Sequence, residues 1–143
     1  VPEIQQPLQL RLGETIMLLG YDLQPTVVRP GAQLRVTLYW QCLGLMGTSY
    51  TVFVHLLDEE GSIRVQQDSV PGQGTLPTTS WVKGEVIVDA YEIALTHDAP
   101  PGLYTTAVGM YDANTGVRVQ MFDEGNKPLG DHLLLSGIEI PAE

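Results

Sequence analysis

Residues 33–43, QLRVTLYWQCL, alternate without a break: Leu34, Val36, Leu38, Trp40 and Cys42 fall in one phase, Arg35, Thr37, Tyr39 and Gln41 in the other. Successive side chains of an extended chain point to opposite faces, so this run is a strand with one face in a core and the other turned outward. A helical winding would scatter both sets around its circumference. The same two-residue period runs through 15–23, 50–58, 62–68, 85–95, 103–111, 117–122 and 132–140. Turn chemistry separates these segments at Pro30-Gly31, Asp58-Glu59-Glu60-Gly61, Pro100-Pro101-Gly102 and Asp112 to Gly116. About eight strands without helical crossovers must pair antiparallel and hide their apolar faces against a second sheet. The expected fold is therefore all-β: a two-sheet antiparallel β-sandwich, immunoglobulin-like or jelly-roll.

Length and charge limit what such a sandwich can do. The 143 residues, 43% hydrophobic, suit a single domain spanning 1–143 with a sizeable core, and the Pro/Gln-rich residues 1–8 read as a linker. Seventeen acidic against seven basic residues give a formal charge of −10, which repels phosphate backbones and argues against nucleic acid as a partner. No apolar run reaches the roughly 20 residues that span a bilayer, so direct membrane insertion by this segment is not expected. Cys42 is the only cysteine and lies in the apolar phase of its strand, which favours a buried thiol. The ends suggest a domain cut from a longer chain.

Few residues offer chemistry. His55 lies in TVFVHLLDEEG, where Val52, Val54 and Leu56 take the core phase, so His55 faces outward beside Phe53 and Leu57. That outer face is apolar and needs a cover, for which the long irregular piece 69–84, carrying Trp81, is the expected source. A catalytic histidine needs an orienting partner and a nucleophile, and neither a nucleophile elbow nor paired metal-binding histidines occur. Asp58 to Gly61 suits a tight hairpin with the acids in water. Asp112 and Asn114 have the first spacing of a calcium loop but lack its later ligands, and the adjacent pairs His97-Asp98 and Asp131-His132 point apart in extended chain. No metal, cofactor or catalytic residue is assigned.

Ligand contact has one candidate surface. On the outward face of 33–43, Arg35, Thr37, Tyr39 and Gln41 stand roughly 6–7 Å apart. Rings that stack on pyranose CH faces, with amides and guanidinium groups that bond hydroxyls, make a sugar-binding strip, although any solvated strand can carry the same residue types. Trp81 is either the anchor of its loop or an exposed stacking platform. Arg35, Tyr39, Gln41 and Trp81 are the candidate ligand-binding residues.

The blocks GYDL (20–23), RPG (29–31), LRVTLYWQ (34–41), YTVFVHLLDEEG (50–61), PTTSW (77–81), GEVIVDAYEI (84–93), PPGLY (100–104) and VGMYDANTG (108–116) carry a family resemblance. In this order they resemble a β-sandwich module at the extracytoplasmic C-terminal end of large bacterial polytopic membrane proteins, many of the dolichyl-phosphate-mannose-type glycosyltransferase class. The resemblance implies a non-catalytic accessory domain, extracytoplasmic, at the soluble end of a membrane protein whose embedded part would hold any transferase chemistry. It makes His55, Asp58, Trp81 and Asp89 part of a shared pattern, for folding or for ligand contact. The expected function is contact with glycan, acceptor or a neighbouring protein; the alternative is a purely structural or protein-protein interaction module.

Overall fold

A computed structural model describes residues 3–142. Ten strands occur among them: β1 (Gln6–Leu12), β2 (Ile16–Gln24), β3 (Gln33–Cys42), β4 (Tyr50–Leu57), β5 (Ile63–Ser69), β6 (Val86–Ala94), β7 (Gly102–Asp112), β8 (Met121–Phe122), β9 (Pro128–Gly130) and β10 (Leu133–Ile140). They form a six-stranded sheet in the order β6-β3-β2-β1-β8-β9 and a four-stranded sheet in the order β10-β7-β4-β5. All the strand pairings are antiparallel. The expected all-β sandwich of two antiparallel sheets is the observed architecture. No helix among the described residues is long and apolar enough to cross a membrane.

Alternation explains which side chains meet between the sheets. Leu34, Val36, Leu38, Trp40 and Cys42 of β3 are fully buried, and they join Val52, Val54 and Leu56 of β4 in one core. Each large apolar side chain removed from water contributes roughly 1.5–3 kcal/mol. The register of its strands is decisive for this core, because a one-residue slip would exchange its two faces.

Two departures from the expected strands have local causes. Residues 6–8, expected within a linker, open β1, which pairs with β2. Pro7 is tolerated because β8 reaches only Arg11 and Leu12 on the other side, so its missing N–H leaves no ladder bond unmade. Opposite Pro7 lies Gly20 with φ +148°, just after a bulge in β2; a side chain there would run into Gln6 O and the Ile4 methyl. The expected strand 117–122 shrinks to β8, preceded by a single bridge between Arg118 and Tyr111, and β9 follows from a turn at Asp123.

The loop 70–85 links β5 at the edge of one sheet to β6 at the edge of the other and is bonded to both sides. Thr78, in a single 3₁₀ turn (Thr78–Ser80), accepts from Tyr50 N at 3.0 Å and donates to Thr48 O at 2.7 Å. Trp81 is buried and donates from Nε1 to Leu76 O at 2.9 Å. Gly72 N donates to Asp89 Oδ1 at 2.9 Å, while Asp89 Oδ2 accepts from Trp40 Nε1 at 3.1 Å and from the Tyr91 hydroxyl at 2.7 Å. On the far side of the four-stranded sheet, residues 26–28 run along β10: Val28 N donates to Glu139 O and Glu139 N donates to Thr26 O.

Candidate binding site on the four-stranded sheet

The strip expected to bind ligand does not stand free. Tyr39 is only 6% exposed; it lies opposite Gly20, itself roofed by Ile4, and its hydroxyl donates to Asp22 Oδ2 at 2.5 Å. That bond, burial and the Asp22 charge push the phenol up to about 12. Asp22 is in turn held by Gln5 N at 2.8 Å. Arg35 is exposed but paired with Glu92 at 3.2 Å, and Gln41 reaches Gly84 O at 3.4 Å. Trp81 belongs to the core, so of its two readings the loop anchor is the one realised. As ligand contacts, Tyr39 and Trp81 are therefore corrected: one is roofed by the N-terminal segment, which was read as linker, and the other is packed between the sheets. Arg35 and Gln41 keep their outward places.

A denser cluster forms on the outer face of the four-stranded sheet. Phe53 and His55 project from β4, Gln66 and Asp68 from the neighbouring β5, and Tyr111 from β7 on the other side, as the pairings Phe53 with Asp68, His55 with Gln66 and Thr51 with Tyr111 require. Phe53 can lie down because its partner is Gly109, where a Cβ would sit 2.6 Å from Phe53 Cζ. Its ring centroid is 5.0 Å from that of His55 and 6.3 Å from that of Tyr111. Arg118 closes the top, with its guanidinium carbon 4.2 Å above the Phe53 centroid and one nitrogen 3.5 Å from Asp131 Oδ1. Together with Gly116 these side chains line an open depression of about 230 Å³.

Asp68 is its polar centre. Oδ2 accepts from the Tyr111 hydroxyl at 2.8 Å and from Gln66 Nε2 at 3.4 Å. Oδ1 faces His55 Nε2 at 3.5 Å, but that nitrogen is buried and makes no hydrogen bond. Burial pushes the imidazole below its ordinary pKa; Asp68 opposes this, and the Arg118 charge adds to the lowering. The cover over His55 is thus the segment carrying Gly116 and Arg118, whereas the expected cover, 69–84, packs at the side of the sandwich. The outward phase of Phe53 and His55 was readable from alternation. Asp68, Tyr111 and Arg118 were missed because only strand register brings them to the same face.

Other polar groupings are used in turns. Asp58 Oδ1 accepts from Glu60 N and Ser62 N, both at 3.0 Å, and Oδ2 faces Arg64; Glu59 reaches across to Leu103 N at 2.8 Å. The acids of this hairpin are expected in water, and Glu59 and Glu60 are exposed; Asp58 departs, its side chain 14% exposed and turned onto the turn's own amides. Asp112 caps Asn114 N at 2.9 Å, with Gly116 at φ +76° closing that turn. No group of three or more His, Cys, Asp or Glu among the described residues is arranged to hold a metal ion.

No family model and no curated protein sequence matches the chain. Solved structures do. The C-terminal domain of wzt superposes with a TM-score of 0.59 at 11% identity, over 100% of this chain and 83% of that one, which is a likeness of fold. A CARDB domain from Pyrococcus furiosus in complex with di-metal ions gives a TM-score of 0.48 at 16% identity, covering 94% of this chain and 96% of that one. AvmM, which catalyses macrocyclization in alchivemycin A biosynthesis, gives 0.45 at 13% identity, covering 100% and 97%.

Proposed function

We propose that this chain is a non-catalytic accessory domain that contacts carbohydrate through the outer face of its four-stranded sheet, within an extracytoplasmic, membrane-bound protein of the glycosyltransferase type. The observation that carries the carbohydrate reading is the cluster of Phe53, His55, Gln66, Asp68, Tyr111 and Arg118 around one depression. It offers what a pyranose needs: the half-buried Tyr111 ring for its CH face, with Phe53 buried beneath Arg118 as the floor, and a carboxylate, an amide and a guanidinium for its hydroxyls. The parent class and location rest on the order of sequence blocks that resembles the accessory module.

The test is binding of the 143-residue chain to an array of bacterial glycans. Tyr111→Ala and Arg118→Ala should each lower affinity about tenfold or more, since stacking and charge-assisted contacts are typically worth 1–3 kcal/mol each. Arg35→Ala, on the other sheet, should leave binding unchanged. Loss of binding in Arg35→Ala, with none in the other two, would move the site back to β3. An array without any signal would favour a structural or protein-interaction module.

A further inference from the structure

The balance of charge and hydrogen-bonding capacity in the depression narrows the class of sugar, given the carbohydrate reading above. The titratable and charged groups around it are His55 on β4, Asp68 on β5, Tyr111 on β7, Arg118, and, behind Arg118, Asp131 and His132. Arg118 is the cation nearest the floor, yet its flat face is taken by Phe53 and one end by Asp131. Asp131 therefore offsets its charge. His55 is buried beside an aromatic ring and holds no hydrogen bond. Asp68 has no full counter-ion and sits on a molecule of formal charge −10.

The acceptor atoms lead to the same place. Asp68 is 22% exposed at its side chain, and its Oδ2 already accepts from Tyr111 and Gln66. Oδ1 meets only His55 Nε2 at 3.5 Å and retains lone pairs for an incoming donor. A sugar hydroxyl donates there readily, and a neighbouring hydroxyl can engage the Gln66 amide. A carboxylate or phosphate on the ligand would bring a second uncompensated anion to the same spot.

We infer that the depression selects uncharged pyranosides bearing adjacent free hydroxyls, with Asp68 Oδ1 as the hydroxyl acceptor, and rejects sugars carrying a uronate or phosphate. The experiment uses matched probes: methyl glucoside, methyl mannoside and methyl galactoside, their uronates, and mannose 6-phosphate. Binding is followed by amide shifts of residues 53–55, 66–68 and 111 at low and at raised salt. At least one neutral glycoside should bind, with its charged counterpart roughly tenfold weaker at low salt and the gap narrowing as salt screens the repulsion. Asp68→Asn should weaken the neutral ligand about tenfold and bring the charged-to-neutral ratio towards one. Gln66→Ala, at an exposed position, should weaken binding while leaving that ratio intact, and it serves if Asp68→Asn does not fold. Equal or tighter binding of a charged sugar at this face would overturn the inference and leave the carbohydrate reading standing. Shifts confined to the other sheet, or none with any probe, would remove both.

Discussion

Asp89 and His55 are two buried polar groups with opposite bookkeeping. Asp89 is fully buried but accepts from Trp40, Tyr91 and Gly72, so three donors of the core and the long loop depend on one carboxylate. Burial pushes its pKa up, while the bonds from Tyr91, Gly72 and Trp40 pull it back down. Asp89→Ala would leave those donors unpaired in the interior and should cost about 3–5 kcal/mol in urea unfolding. His55 lacks such bonds. Its ordinary pKa of 6.5 is lowered in the folded state, so the unfolded chain takes up a proton more readily. The stability this contributes is present above pH 6.5 and is lost as pH falls through the lower folded value. His55→Gln should cost about 1 kcal/mol at neutral pH through poorer packing on Phe53. It should also flatten the decline in urea midpoint below pH 6.5; an unchanged decline would mean that His55 is not the group responsible.

Whole strands were legible in the sequence wherever alternation was uninterrupted, as in β3 and β4, and the core phase of both was read correctly. Alternation failed at β1, where Pro7 and the glutamines mimic a linker, and at β9, three residues long, which no period can reveal. It also failed for the site. Period assigns a residue to a face of its own strand, but not to the neighbours that share the face, and Asp68, Tyr111 and Arg118 meet Phe53 only through register. The loop 70–85 shows what length alone can say: a piece this long needs a role, and this one closes the side of the sandwich, bonded through Gly72 to Asp89 of β6 and through Thr78 to Tyr50 of β4. Trp81→Ala should cost about 3–5 kcal/mol, the range for a deleted buried tryptophan. In hydrogen exchange the amides of 70–85 should lose protection before those of β3; uniform loosening would show that the loop is not a separate unit.

Across the whole molecule the two sheets share one core, and four of the eight strand pairings join strands that are not consecutive in the chain, which slows folding relative to local topologies. The charge of −10 acts on this assembly as a uniform internal pressure. Raising NaCl from about 20 mM to about 500 mM should therefore raise the urea midpoint, because ions shorten the reach of carboxylate repulsion. A fall would indicate that the ion pairs, such as Arg35 with Glu92, outweigh the repulsion.

The run of residues 26–28 along β10 bears on how separate molecules treat one another. An unpaired outer strand is a template onto which a foreign strand can dock and from which polymer can grow. Here the amide and carbonyl of Glu139 are already bonded within the chain, to Thr26 and Val28. That flank of the sheet is blocked to a templating strand at Glu139, and the molecule gains there a guard against edge-to-edge stacking with its own copies.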